Sequence, residues 1–256
     1  MGPLVLTDHR DQTVTLTLNR PDKLNCINWE MMQELDRAVD HVEETSAVRL
    51  LVFRGAGGRA FSTGGDLKVW NNLNPAETAR WIRMGQRIFS RIESLPAVSM
   101  ALVDGYAYGG GMELALACDL RVATPEAKFS CPEIQLGWPP GWGGLTRLGR
   151  LLGEASAKRI VFLGESLDAE EALRIGLVNR LVGKEKIAEF LEAAGQSLSR
   201  VDRDVFAFSK FSISERAQST WKDASALEAD VLATLKAKES LSRESPSCKS
   251  QDGEDS

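Results

Sequence analysis

Polar and apolar residues alternate strictly from Thr13 to Leu18 (Thr-Val-Thr-Leu-Thr-Leu), the pattern of a strand with one buried face. Residues 4–8 read as its partner, with a turn near Asp11-Gln12. After a loop at 19–23, Asn28 is placed to cap a helix running to about Glu44, with Met32, Leu35, Val39 and Val42 on one face. Leu50-Leu51-Val52-Phe53 is a short, wholly apolar strand, and the glycine-rich stretch 54–65 ends it in a loop. A helix follows over about 76–94 (Trp81, Met84, Ile88, Ile92), then a buried strand from Val98 to Val103. Gly109-Gly110-Gly111 open a helix through Cys118, and 120–123 returns as a strand. A Gly/Pro/Trp loop covers 137–144, and the spacing predicts helices at about 155–163, 168–175, 184–199, 204–217 and 221–240.

Strands and helices in alternation imply an α/β core, with an all-helical final part. The expected division is a core over 1–200 carrying the site, a helical region over 201–240, and a disordered polar tail over 241–256. The 256 residues suit one large domain with such an appendage. No apolar run is long enough to cross a membrane. The first residues lack the basic and long apolar regions of a signal peptide. A net charge of −5 disfavours general nucleic-acid binding. Cys26, Cys118, Cys131 and Cys248 are far apart, as expected of reduced thiols in a cytoplasmic protein. His9 and His41 have no second ligand at metal-binding spacing, so no metal site is expected.

Two charges stand where charge is costly. Glu113 is the only carboxylate between Gly105 and Cys118, on a helix apolar nearly all round. Glu133 is the only charged residue between Lys128 and Arg147. Each has a plain reading: a carboxylate satisfied at a helix N-terminus, and a turn carboxylate accepting loop N–H groups. Each also suits half of an acid/base pair. The turns at Gly64-Gly65 and Gly109-Gly110-Gly111 are able to offer two N–H donors to one oxygen. Neither stretch makes a phosphate loop or a dinucleotide fingerprint.

Several segments together carry a family likeness: Asn19-Arg20-Pro21-Asp22-Lys23-Leu24-Asn25, Ala60-Phe61-Ser62-Thr63-Gly64-Gly65-Asp66-Leu67, the run from Gly105 to Asp119, Pro132-Glu133-Ile134-Gln135-Leu136-Gly137, and Ala169 to Val178. Over about residues 4–200 the chain resembles the crotonase, or enoyl-CoA hydratase/isomerase, superfamily. The resemblance implies a spiral of ββα units with a C-terminal helical region that builds trimers, often paired into hexamers. It implies an acyl-CoA thioester substrate and no further cofactor, since CoA is part of the substrate. Gly65 and Gly110 match the oxyanion-hole donors. Lys23, Leu24, Cys26, Thr63, Asp66, Leu67 and Lys68 fall in segments that line the CoA arm. Glu113 and Glu133 match both glutamates of water-adding members, which favours hydration over isomerisation, decarboxylation or hydrolysis. An RNA-binding member would want a basic first helix, yet Glu30, Glu34, Asp36, Asp40, Glu43 and Glu44 face Arg37 alone.

Two departures stand out. Trp138 and Trp142 occupy a loop where many hydratases carry smaller residues. They either pack over the loop or reshape an acyl pocket with Trp70, Leu145 or a residue of the 76–94 helix. The family's final segment, which helps close the CoA adenine end and the trimer contact, is not recognisable after about Leu235.

Overall fold

The computed structural model describes residues 2–216, 226 and 229–236. The chain divides into two compact units, Met1–Arg203 and Asp204–Ser256.

The first unit is a spiral. It opens with a hairpin of β1 (Val5–Arg10) and β2 (Thr13–Leu18), paired antiparallel. The alternation in β2 is realised residue by residue: Val14, Leu16 and Leu18 are buried, and the threonines between them are half-buried. Helix α1 (Trp29–Glu44) begins where Asn28 accepts the Met31 N–H at 3.0 Å, and it buries Met32, Leu35, Val39 and Val42 as the spacing predicts.

Each following turn gives one strand to each of two sheets. The first turn supplies β3 (Leu50–Gly55) and β4 (Ala60–Ser62), then α2 (Leu67–Trp70) and α3 (Pro75–Ser94). The second supplies β5 (Val98–Val103), β6 (Tyr106–Tyr108) and α4 (Gly110–Ala117). The third supplies β7 (Leu120–Ala123), β8 (Lys128–Ser130), a 3₁₀ turn (Pro132–Leu136) and α5 (Gly144–Leu163). The short strand β9 (Leu167–Asp168), α6 (Ala169–Arg174), β10 (Arg180–Leu181) and α7 (Ile187–Ser199) close it. The larger sheet runs β1-β2-β3-β5-β7-β10 and the smaller β4-β6-β8-β9. β4, β6 and β8 are parallel neighbours.

The apolar run of β3 and that of β5, broken only by Ser99, whose hydroxyl donates to Asp119, now have a cause. Leu50, Val52, Met100 and Leu102 face a layer made by Ile187, Phe190, Leu191 and Leu198 of α7. Leu51, Phe53, Ala101 and Val103 face the main core with α1, α3 and α4. Central parallel strands covered on both faces carry near-continuous apolar runs.

Helix α5 corrects the expected start at 155. It begins at Gly144 and is broken at Gly153 (φ 76°, ψ 163°), so its first half replaces what reads as loop. Helix α8 (Arg203–Arg216), which belongs to the second unit from Asp204 onward, matches the helix expected over 204–217. Most of the helix expected over 221–240, all of the tail at 241–256, and Cys248 lie outside the described residues.

Candidate active site

The site grows from the carboxyl ends of β4, β6 and β8. Because these strands are parallel and adjacent, the segments that leave them emerge side by side. Thr63-Gly64-Gly65 follows β4, Gly109-Gly110 follows β6, and Pro132-Glu133 follows β8. In parallel sheets this end is where ligands are met.

The two glycine turns interlock. Gly64 has φ +83°, and a Cβ there would lie 2.5 Å from the Gly110 nitrogen. Only a residue without a side chain permits that approach. Gly65 forms a parallel bridge with Ile27, in which the Gly64 carbonyl accepts from the Ile27 N–H and the Asp66 N–H donates to the Ile27 carbonyl. The intervening Gly65 N–H therefore turns away from Ile27, and Gly65 lines the cavity. Gly110 is the first residue of α4, so its N–H has no acceptor within the helix. Both glycines line one cavity of about 200 Å³.

The same cavity is lined by both glutamates. Glu113 is 2% exposed. Its Oε1 accepts the N–H groups of Trp142 and Gly144, each at 2.7 Å. The donors come from the Gly/Pro/Trp loop and the start of α5, not from Glu113's own helix. Burial pushes the Glu113 carboxyl up to about 7 from the usual 4.5, against the pull of these N–H groups and of the Arg147 cation. Glu133 is 9% exposed, and its Oε2 is buried without a hydrogen-bond partner among the described residues. Burial raises it to about 7 as well, and the charge of Glu113 adds to the rise. The causes separate the two groups. Donors and a cation favour ionised Glu113, whereas a like charge favours protonated Glu133.

Arg147 was legible only as the next charge after Glu133. A cation in the first turn of a helix opposes the helix dipole, which is the signal that it has another task. It is buried, donates to the Trp142 carbonyl at 3.0 Å, and pairs with Glu93 at 2.9 Å. It thereby fixes the loop whose backbone holds Glu113.

Other expected residues divide. Thr63, Leu67, Trp70, Trp138 and Trp142 line the cavity. Leu145 does not: it sits one residue inside α5 with its side chain 44% exposed, pointed away by the helix start that puts the Gly144 N–H on Glu113. Lys23, Leu24, Cys26, Asp66 and Lys68 lie outside the cavity wall. The Leu24 carbonyl accepts the Thr63 N–H at 3.1 Å, which ties their loop to the rim. Asp66 caps α2 through the Lys68 N–H and pairs with Arg20 at 3.0 Å. Burial pushes the Cys26 thiol up to about 11, which disfavours the thiolate at neutral pH. Trp81, Ile82, Tyr108, Leu136 and Pro139 also line the wall. Of these, Trp81 was visible only as part of an apolar helix face. Cys26, Cys118 and Cys131 are thiols rather than disulfides. No group of three His, Cys, Asp or Glu residues among those described is arranged to hold a metal ion.

Residues 9–249 match the family model described as enoyl-CoA hydratase/isomerase. The chain is 37% identical over 227 residues to a crotonyl-CoA hydratase of Syntrophomonas wolfei, covering 88% of this chain and 87% of that protein. It is 38% identical over 178 residues to a short-chain-enoyl-CoA hydratase of Clostridium acetobutylicum, covering 70% and 68%. Its fold superimposes on the crystal structure of an enoyl-CoA hydratase from Thermoplasma volcanium with a TM-score of 0.87 at 29% identity, covering 96% of this chain and 98% of that one.

Proposed function

Since the chain belongs to the enoyl-CoA hydratase/isomerase family, we propose that it adds water across the C2=C3 bond of a 2-enoyl-CoA thioester to give a 3-hydroxyacyl-CoA. The observation that carries this reading is the convergence of Glu113, Glu133, Gly65 and Gly110 on one cavity from three successive turns of the spiral. The hydratase names of the relatives support it.

In this reading the thioester oxygen accepts the Gly65 and Gly110 N–H groups. Glu113, held at Oε1 by two backbone donors, receives a proton from a water at its other oxygen. The water oxygen bonds C3, the double-bond electrons move onto the thioester as an enolate, and Glu133 delivers its proton to C2. The oxygen gains charge only as the reaction proceeds, so the two donors act most strongly on the transition state. A carboxyl near 7 is matched to proton transfer at neutral pH. No cofactor beyond the substrate's own CoA is called for by these steps.

The segments holding Lys23, Leu24, Cys26, Asp66 and Lys68 support the reading of a CoA arm laid along the rim beside Thr63 and Leu67. The exposed Phe162 and Leu163 at the end of α5 fit a contact between copies, in a homotrimer or hexamer, which a mass measurement in solution checks. No helix among the described residues is long and apolar enough to cross a membrane. The unbridged thiols fit a reducing cytoplasm.

The test is turnover of 2-enoyl, 3-enoyl and malonyl-type CoA thioesters with product identification. Hydration of crotonyl-CoA, lost in Glu113→Gln and Glu133→Gln, is expected. Double-bond migration or carbon dioxide release without hydration would overturn the proposal.

A further inference from the structure

The cavity has two unlike ends. Trp70 and Trp138 are half-buried, with ring centroids 4.8 Å apart, and form its outer side. Trp81 and Trp142 are almost wholly buried and form its inner wall. Trp142 is the more confined. A Cβ on Gly85 of α3 would lie 2.4 Å from its Cδ1, and a Cβ on Gly110 of α4 would lie 2.2 Å from its Cζ3. Phe89 meets it edge-on at 5.5 Å, and Trp81 packs at 5.4 Å. The indole thus plugs the gap between α3 and α4, in a slot that exists because both helices present a glycine to it. Its six-membered ring also comes near Gly65, where a Cβ would be 3.7 Å from Cη2.

We propose that the Trp142 side chain is the floor of the acyl pocket and sets the length of acyl chain the enzyme accepts, restricting it to short chains. The inference rests on the hydratase reading and extends it to a residue that determines specificity. A thioester carbonyl held by Gly65 and Gly110 places the start of the acyl chain directly against the indole. Carbons beyond the reacting pair must then turn along the small remaining volume or displace a side chain locked by two glycines, a phenylalanine and a second tryptophan. A close-packed wall of that kind does not yield cheaply. Removing the ring leaves an apolar, water-poor space between the two helices, and such spaces accept apolar groups. The Trp142 N–H that Glu113 uses belongs to the backbone and survives substitution.

The experiment compares wild type with Trp142→Ala and the milder Trp142→Phe, each checked for folding by circular dichroism. Two series are measured: kcat/KM for 2-enoyl-CoA substrates of four to ten carbons, and calorimetric dissociation constants for saturated acyl-CoAs of the same lengths, which need no turnover. Wild type is expected to favour four carbons in both. The variants should shift both orders towards longer chains, by about fourfold for each methylene that enters the vacated space. The Phe variant should shift less than the Ala variant. Unchanged length orders in folded variants, or a wild type that binds octanoyl-CoA as tightly as butyryl-CoA, would overturn the floor while leaving hydration standing. A shifted binding order without hydration of any enoyl-CoA would support the floor and remove the hydratase reading instead.

Discussion

Glu113→Gln separates what this carboxylate does for folding from what it does for chemistry. The glutamine carbonyl oxygen has two lone pairs and is able to accept the Trp142 and Gly144 N–H groups that Oε1 accepts now. The substitution therefore resembles permanent protonation. Burial raises the folded carboxyl from 4.5 to about 7. Between those pH values the folded protein keeps a proton that the unfolded chain has released. Stability is then full below pH 4.5, falls as pH rises through about 7, and stays lower above it. At about 1.4 kcal/mol per pKa unit the loss amounts to about 3 kcal/mol. Glutamine suffers no such loss. The variant should match wild type near pH 4.5 and exceed it by about 3 kcal/mol at pH 8, or roughly 6–12 °C in melting temperature for a chain of this size. Its hydratase kcat/KM should fall by about 10²- to 10⁴-fold. Denaturant titrations at several pH values and initial rates on crotonyl-CoA provide the two readings. A variant less stable than wild type at pH 8, or a stability difference independent of pH, would refute the burial argument. Full activity would refute the role as base.

Three further outcomes are expected. Gly64→Ala drives a Cβ to 2.5 Å from the Gly110 nitrogen from a backbone at φ +83°; kcat should drop by about 10²-fold or more through a displaced donor, and wild-type kcat would count against the two-turn geometry. Asn25→Ala removes the fully buried side chain that bonds Arg20 N–H and the carbonyls of Ala56 and Ala60; stability in urea should fall by about 2–4 kcal/mol, with a change under 1 kcal/mol disproving that account. Arg147→Met keeps bulk but removes the cation that helps hold Glu113 ionised; the acid limb of the pH–rate profile should move to higher pH, whereas a purely structural arginine would lower rates without moving it.

Much of this was legible because local and tertiary demands agree. The alternation in β2, the Asn28 cap on α1 and the two-sided apolar run of β3 each state their own environment. Glu113 and Glu133 were legible as lone charges in apolar surroundings, each with a plain local reading beside the functional one. The three-residue strands β4, β6 and β8 were not, since so short a segment becomes a strand only when its neighbours stack beside it. The first half of α5 was hidden by Gly144 and Gly149, whose low helix propensity is overridden once Gly144 and Arg147 are tied to Glu113 and the loop. The partners of Glu113 were invisible for a different reason. They are main-chain N–H groups, and a backbone donor carries no residue signature. Leu145 was misplaced because its neighbours Gly143 and Gly144 form the start of a helix that turns it outward.

The small sheet acts as a ruler. Parallel neighbours in a sheet lie about 4.8 Å apart, and β4, β6 and β8 each end in one member of the cavity's polar set. The separation between the glycine of one turn, the glycine of the next and the glutamate of the third is thus metered by hydrogen-bonded strand spacing, with no long side chain needed to span it. The two glycine turns interlock and must change together, whereas Glu133 arrives on a separate segment after β8. Such a scaffold is modular at the scale of a single loop: exchanging the segment after β8 alone would replace Glu133 yet leave the pair of glycine turns in place.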